Sequence, residues 1–267
     1  MLEINSTKSN ASLLQQVQQK QNSLFEKLAS GKRVNSAADD AAAQQIIDRL
    51  TSQTSGVRQA YNNAYDGVSL AQVAEGGLSG ISNDVNRIRE LSVQAGSGIL
   101  TDGDRKALQK EVSQLQDNIK QTIEQTEFAG KPLLSGEGDV DFLVGANAGQ
   151  SISVGTKDIA GGLSDVLNID VSTAQGAADA LEAADNAVDY VGAARADLGA
   201  TQNQFESAAR NLANTEVNVQ AAKSRLQDLD YAQGTADKAA NDILSQASIA
   251  VQSQANQQKG QVLALLG

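Results

Sequence analysis

The fold is decided by residues 198–229, which read LGATQNQFESAARNLANTEVNVQAAKSRLQDL. Apolar and small residues recur here at alternating steps of three and four, which is the seven-residue repeat of a coiled coil. Such a seam stays buried only when another helix covers it, so the stretch predicts a long helix with a helical partner. The seam residues are Leu198, Thr201, Phe205, Ala208, Leu212, Thr215, Val219, Ala222, Leu226 and Leu229.

A second stripe with the same spacing lies in the N-terminal half of the chain. It consists of Ala71, Ala74, Leu78, Ile81, Val85 and Ile88. The two stripes predict a mainly α fold, a long antiparallel coiled-coil bundle in which the two halves of the chain pack together. A protein whose halves share one helical core is more typical of a structural element than of an enzyme.

The composition favours thin, closely packed helices. Hydrophobic residues make up 40% of the chain but aromatic residues only 3%, and Pro132 is the single proline. The sequence has no His and no Cys, which excludes histidine bases, cysteine nucleophiles, disulfides and the usual zinc sites. We therefore predict no enzymatic activity, no cofactor and no metal.

Two groups of carboxylates are interpreted as helix starts. Asp102-Gly103-Asp104 resembles part of a calcium loop, but the bidentate Glu that closes such a loop is missing. Asp39 and Asp40 have no nucleophile or ligand motif beside them, which favours a linker or a helix start.

The charge distribution separates the ends of the chain from its middle. The net charge of −11 argues against nucleic acid and anionic membrane surfaces as partners. The excess of acidic residues lies between segments 1–35 and 234–267, whose leucines and valines favour burial in an assembly over disordered tails. No stretch approaches the roughly 20 apolar residues that span a membrane, and the first residues show no secretory signal. We predict no membrane insertion.

The helical and strand patterns predict an ordered series of elements. The first helix runs from Ser6 to Ala29 and ends at Gly31, and a linker follows in which Asn35 or Ser36 caps the next helix. Helices 41–96 and 104–126 come next, with Thr101 or Asp102 as the cap of the second. After them come a β-hairpin region 136–162, a helix 173–231 and, beyond a break at Gly234, a final helix.

Several motifs resemble those of bacterial flagellins. Residues 30–42, SGKRVNSAADDAA, resemble the N-terminal signature of that family, and residues 86–94, NRIRELSVQ, resemble its second signature. The motifs cover nearly the whole chain in the family's order. The others are FAG at 128–130 with LL at 133–134, LGA at 198–200, ANT at 213–215, SR at 224–225, DYA at 230–232, QANQ at 254–257 and VLALL at 262–266.

The resemblance implies a structural subunit that self-assembles into the flagellar filament for motility and is exported unfolded to the extracellular flagellum. It implies as partners further copies of the chain, the export apparatus, a flagellin chaperone, and the filament cap and junction proteins. Only about residues 136–176 are left for an outer domain, so the chain resembles a minimal flagellin. The alternative is a hook–filament junction protein of the same superfamily. A secreted enzyme or adhesin on this scaffold is remote.

The resemblance also implies the domain division. Residues 1–40 and 232–267 would form a terminal, inner-tube domain of paired helices with its linker, and residues 41–231 the core domain. Polymerisation is predicted to use one stripe of each terminal helix. These residues are Leu14, Val17, Leu24 and Leu28, and Ile243, Ala247, Val251, Val262, Leu265 and Leu266.

Four further residues match the family's recognition site for the flagellin-sensing Toll-like receptor. Arg87, Leu91 and Gln94 share one helix face through their spacing, and Glu111 lies on the next helix. We expect a contact between subunits first, with Leu91 as the apolar centre and Arg87 and Glu111 as its charged rim. The alternative is an ordinary solvated helix face.

Overall fold

The computed structural model describes residues 2–147 and 149–266, with side chains for residues 12–147 and 149–258. The predicted mainly α fold is confirmed, since five long helices dominate the described residues. The elements are α1 Leu2–Ser30, α2 Ala41–Ala95, α3 Asp102–Gln125, β1 Glu127–Phe128, β2 Lys131–Pro132, β3 Ser135–Leu143, β4 Ser151–Asp158, α4 Ile159–Gly162, α5 Ser164–Leu167, α6 Ala174–Gln227 and α7 Tyr231–Leu266.

The chain divides into two compact units. Unit 1 contains Met1–Thr54 and Val217–Gly267, and unit 2 contains Ser55–Glu216. Helices α2 and α6 each contribute residues to both units. The division at residues 40 and 231 inferred from the sequence stays a prediction.

The break between α6 and α7 lies before the position expected from the sequence. Helix α6 ends at Gln227 rather than near Tyr231, and Gly234 is buried inside α7, so the prediction that Gly234 breaks the helix is wrong. The backbone N–H of Leu229 instead donates to the carbonyl of Gly31 at 2.9 Å. The Asp230 carboxylate then accepts from the N–H of Ala232 at 3.0 Å and starts α7.

Two helix caps resolve the alternatives left by the sequence. Neither Asn35 nor Ser36 caps α2, because the Asp40 carboxylate accepts from the N–H of Ala43 at 2.9 Å. Thr101 caps α3 in a capping box with Asp104. The carboxylates of Asp40 and Asp104 therefore act at helix starts, as expected.

Within unit 2, helices α2 and α6 pair in antiparallel order. Arg58 of α2 contacts Glu216 at 2.5 Å, and Glu75, farther along α2, contacts Arg195 at 2.7 Å. The seam residues of the opening stretch are all buried or half-buried. The seam is covered by the N-terminal half of the chain, since Phe205 lies against Gly67, Leu212 packs with Val57 and Ala60, and Leu226 packs with Ile47. The α2 stripe from Ala71 to Ile88 is buried too, but in this register it lies opposite residues nearer the start of α6.

The β3–β4 hairpin covers one side of this pair. Its strands are antiparallel, with Phe142 opposite Ile152 and Val140 opposite Val154. The ring of Phe142 meets the ring of Phe205 edge-on, with centroids 5.5 Å apart. Phe205 is fully buried and its ring lies against Gly67 of α2.

Replacing Gly67 by Ala should destabilise unit 2, because a Cβ at this position overlaps the Phe205 ring. Overpacking of this kind costs about 1–3 kcal/mol, which outweighs the helix propensity of Ala. Urea unfolding followed by circular dichroism measures the change in the free energy of unfolding.

The matched control is Gly76→Ala in the same helix, where a Cβ meets nothing within 4 Å. This substitution should stabilise the chain by roughly 0.5–1 kcal/mol, the gain of Ala over Gly in a helix. Equal effects of the two substitutions would contradict the packing of Phe205 on Gly67.

Candidate functional site

The two chain ends form one structure, the terminal pair, which consists of α1 and α7. The helices lie side by side in unit 1. They are antiparallel, since the Tyr231 hydroxyl donates to the carbonyl of Leu28 at 2.6 Å and the Gln21 amide donates to Asp242 at 2.5 Å. The predicted pairing of the terminal helices is therefore present in a single chain.

The face of α1 that is turned away from solvent is mainly apolar and repeats at steps of three and four. Val17 is buried, and Gly234 of α7 packs against Leu28. The other members are half-buried. The predicted α1 stripe of Leu14, Val17, Leu24 and Leu28 is thus largely used within the chain, with Gln21 as its polar member.

The inner face of α7 has the same spacing but opposite chemistry. Small and polar residues occupy it, and Asn241 is only 5% exposed. Among the described residues, the amide nitrogen of Asn241 and the side-chain oxygen of Gln252 are buried without a hydrogen-bond partner. This face contributes little apolar area to the pairing. Its members are Gly234, Lys238, Asn241, Ser245, Ser248, Gln252 and Ala255.

The large apolar residues of α7 instead face outward, and we call them the outer stripe of α7. Ile243 is 69% exposed and Val251 is 55% exposed. Leu244 and Ile249 are also more than half exposed, and Ala247 is exposed. The predicted residues Ile243, Ala247 and Val251 therefore share an uncovered apolar surface, whereas Val262, Leu265 and Leu266 lie outside the residues whose side chains are described. An apolar stripe of this kind is typical of a helix that binds a partner.

The α1–α2 linker joins the terminal pair to α6 through hydrogen bonds to the backbone carbonyls at the end of α6. The N–H of Arg33 donates to the carbonyl of Gln227 at 2.6 Å, and the Arg33 guanidinium donates to the carbonyl of Leu226 at 2.6 Å. Val34 is buried and packs with Ile47 and Leu226. The sequence analysis recognised the motif at residues 30–42 but not these contacts. The residues of α6 that the motif contacts are nearly 200 positions away in the sequence and come close to it only in the folded chain.

Asp39 holds the linker in shape. Its carboxylate accepts from the N–H groups of Asn35 and Ser36, both at 3.1 Å, and pairs with Lys27 at 3.2 Å. The hydrogen bond from Asn35, followed by that from Lys27, lowers the pKa of Asp39 below its ordinary value of 3.8. In the terminal pair, hydrogen bonds from Lys238 and then Gln21 likewise lower the pKa of Asp242.

The Arg87–Glu111 face is a second candidate surface, and it lies in unit 2. The Arg87 guanidinium donates to Glu111 at 2.7 and 3.0 Å and to Glu90 at 3.0 Å. These bonds, first those to Glu111 and then that to Glu90, raise the pKa of Arg87. Gln94 is exposed on the same helix.

Leu91 does not belong to this exposed face. Its side chain is only 1% exposed and belongs to the core of unit 2, one step beyond Ile88 in the buried stripe. The expectation of an apolar centre at Leu91 is therefore wrong, and solvent reaches only Arg87, Gln94 and Glu111 of the four predicted residues. That these residues contact a receptor or a subunit stays a prediction.

The residues described by the structure include no group of three or more acidic side chains placed to hold a metal ion. Among the same residues, none of the helices combines the length and apolarity required to cross a membrane.

Comparison with family models gives two matches. Residues 3–139 match the bacterial flagellin N-terminal helical region, and residues 181–266 match the bacterial flagellin C-terminal helical region. The chain is 40% identical to a flagellin of Bacillus subtilis, with 91% of each chain covered. It is 37% identical to the flagellar filament 30.7 kDa core protein of Treponema maltophilum, covering 91% of this chain and 90% of that one.

Solved structures show the same fold. The crystal structure of Bacillus cereus flagellin has a TM-score of 0.53 at 24% identity, covering 57% of this chain and 88% of that one. A putative flagellar hook-associated protein from Vibrio parahaemolyticus has a TM-score of 0.61 at 16% identity, covering 71% of this chain and all of that one. At these identities the likeness concerns the fold alone.

Acid should weaken the terminal pair and its linker. The pKa values of Asp39 and Asp242 are lowered in the fold, so their stabilising effect is complete above 3.8 and is lost as the pH falls through the lowered values. We expect helical circular dichroism to fall between about pH 4 and pH 2. Asp242→Asn should flatten this transition, and identical pH profiles of the two chains would contradict the contribution of Asp242.

Proposed function

This chain belongs to the bacterial flagellin family, and from that premise we propose that it polymerises through the outer stripe of α7. It is a structural subunit of the flagellar filament, so the neighbours of each subunit are further copies of the same chain. The finer proposal is that α1 serves mainly to hold α7, while α7 presents Ile243, Ala247 and Val251 to those neighbours.

The observation that carries the proposal is the distribution of side chains around α7: its polar face is turned toward α1 and its apolar face toward solvent. Its inner face buries small and polar residues such as Asn241 and Ser248, whereas Ile243 and Val251 stay in water. Covering one large aliphatic side chain contributes about 1.5–3 kcal/mol. Covering Ile243, Leu244 and Val251, which lie on one side of α7, therefore offsets part of the roughly 4–15 kcal/mol that association costs.

We also propose, from membership of the flagellin family, that the chain is exported to an extracellular filament. We infer that the chain is exported unfolded, and the absence of Cys means that no disulfide has to form outside the cell. The outer stripe of α7 needs a cover before assembly, which supports binding of a flagellin chaperone. The export apparatus, filament cap and junction proteins are the further partners that this route requires.

The remaining alternatives have weaker support. The likeness to a hook-associated protein is one of fold, whereas the flagellins match in sequence over most of the chain. A filament subunit is therefore favoured over a junction protein. We also infer that the chain is not an enzyme, because it has no His or Cys and its family is a structural one.

A receptor contact is proposed for the exposed part of the Arg87–Glu111 face. The ion pair between Arg87 and Glu111 is about half exposed, so a partner can reach it without unfolding the helices. The paired geometry holds both side chains in place, which lowers the entropy cost of binding. Gln94 adds a hydrogen-bonding group on the same helix.

Replacing Ile243 by Asp should abolish polymerisation, because a charge would have to be buried where an apolar side chain is needed. We expect filament yield, measured by sedimentation and electron microscopy, to fall at least about tenfold. The unfolding midpoint of the monomer should not change, since Ile243 is exposed.

The matched control is Gln246→Asp, which adds the same charge at an exposed polar position of α7. It should leave the yield within about threefold of the unmodified chain, since a surface change contributes under about 0.5 kcal/mol. Normal filaments from Ile243→Asp would refute the proposal.

Replacing Arg87 by Asp should weaken receptor activation by free subunits about tenfold or more, because it places a like charge beside Glu111. Cells that carry the flagellin-sensing receptor report the dose dependence. The control is Arg89→Asp, whose partner is Asp185 on a different helix. Equal dose curves for Arg87→Asp and the unmodified chain would exclude a receptor contact at this face.

A further inference from the structure

The chain contains few side chains that one-electron oxidants attack. It has no Cys, no Trp and no His, and Met1 is its single Met. Four tyrosines remain, Tyr61, Tyr65, Tyr190 and Tyr231. An oxidant that takes an electron from this chain therefore takes it most readily from a tyrosine phenol.

Two of these tyrosines, Tyr61 and Tyr65, face each other on α2. They are four positions apart and so lie on one side of the helix. Their ring centroids are 4.9 Å apart, with 58° between the ring planes. The Tyr61 hydroxyl donates to the Tyr65 hydroxyl at 3.4 Å. Because the hydroxyl oxygens are closer together than the centroids, the rings converge at the ends where the carbons ortho to the hydroxyls lie.

The other two tyrosines have different partners. The Tyr190 hydroxyl donates to the carbonyl of Asp158 at 3.3 Å, and the Tyr231 hydroxyl donates to the carbonyl of Leu28 at 2.6 Å. Among the residues whose side chains are described, no other pair of tyrosine rings is in contact. Coupling of two tyrosines within one chain is therefore confined to the pair on α2.

The pair combines an anchored ring with a ring that solvent reaches. Tyr61 is half-buried and packs against the core of unit 2 and against Val57 and Leu212. Tyr65 is 51% exposed. An oxidant in solution can therefore reach Tyr65, and the hydroxyl proton of Tyr65 can leave to water. Packing meanwhile holds Tyr61 beside the radical that forms.

We propose that Tyr61 and Tyr65 are a site of oxidative modification at which a one-electron oxidant, such as a haem peroxidase supplied with hydrogen peroxide, forms a dityrosine. Each phenol gives up one electron and its hydroxyl proton and becomes a tyrosyl radical. The two radicals join through a bond between the carbons ortho to the hydroxyls. The hydrogen on each of these carbons then moves to the oxygen and restores the phenol. Overall, two tyrosines and one hydrogen peroxide give one dityrosine and two waters.

The cross-link stays within one turn of α2. It joins positions four apart in one chain, so it links no second copy, and the chain loses two hydrogen atoms. The inference does not depend on the proposed polymerisation, because the contact between the two rings is present in a single chain.

Peroxidase treatment of the full chain tests the site. Trypsin cleaves after Arg58 and Arg87, and no Lys or Arg lies between them, so both tyrosines fall in the peptide of residues 59–87. We expect this peptide to become lighter by two hydrogen atoms and to show the blue fluorescence of dityrosine. The treated chain should still run as a single copy on a denaturing gel. Dityrosine found only in linked dimers, or absent from the peptide, would overturn the proposal.

The test variant is Tyr65→Phe, which keeps the ring but lacks the hydroxyl from which the radical forms. It should lose nearly all of the fluorescence of the single chain. The matched control combines Tyr65→Phe with Asn62→Tyr, which restores four tyrosines at an exposed position next to Tyr61. Neighbouring residues of a helix do not face each other, so the control should stay dark. Fluorescence from either variant equal to that of the unmodified chain would overturn the proposal.

A measurement in urea separates the folded contact from nearness in sequence. A photo-activated ruthenium complex with persulfate supplies the same one-electron oxidation without a folded peroxidase. With this oxidant, the yield of dityrosine in peptide 59–87 should be several times lower in concentrated urea than in buffer, because urea unfolds α2. Equal yields in the two solutions would show that the fold does not build the site.

Discussion

The structure depends on which face of α7 is covered within one chain. Leu28 and Val17 of α1 meet an inner face of α7 made of small and polar residues, which permits close approach but contributes little apolar burial. Ile243 and Val251 are left in water as a consequence. Under the proposed function, such a subunit holds its terminal pair together with little apolar burial and gains more of it from neighbouring copies.

Unit 2 follows the opposite rule, because its apolar stripes are covered within the chain. The seam of α6 meets α2, Phe205 fills the space left by the missing side chain of Gly67, and the β3–β4 hairpin closes one side. This unit therefore has a core of its own. The Arg87–Glu111 ion pair remains about half exposed on this unit.

The long helices and the α2–α6 pairing were predictable because a seven-residue repeat over many turns admits few other structures. The position of the α6–α7 break was not, since it depends on the hydrogen bond from Leu229 to Gly31, far apart in sequence. Leu91 shows a similar limit. Its spacing of four from Arg87 suggested a shared exposed face. Leu91 is also three positions beyond Ile88, however, and it is buried with Ile88 in the core.

The most direct test is a helical reconstruction of the assembled filament that resolves the side chains of α7. We expect Ile243 and Val251 to be buried against neighbouring copies, while Asn241 and Ser248 remain against α1 of their own chain. Solvent on the outer stripe of α7, or Asn241 at a contact between copies, would contradict this expectation.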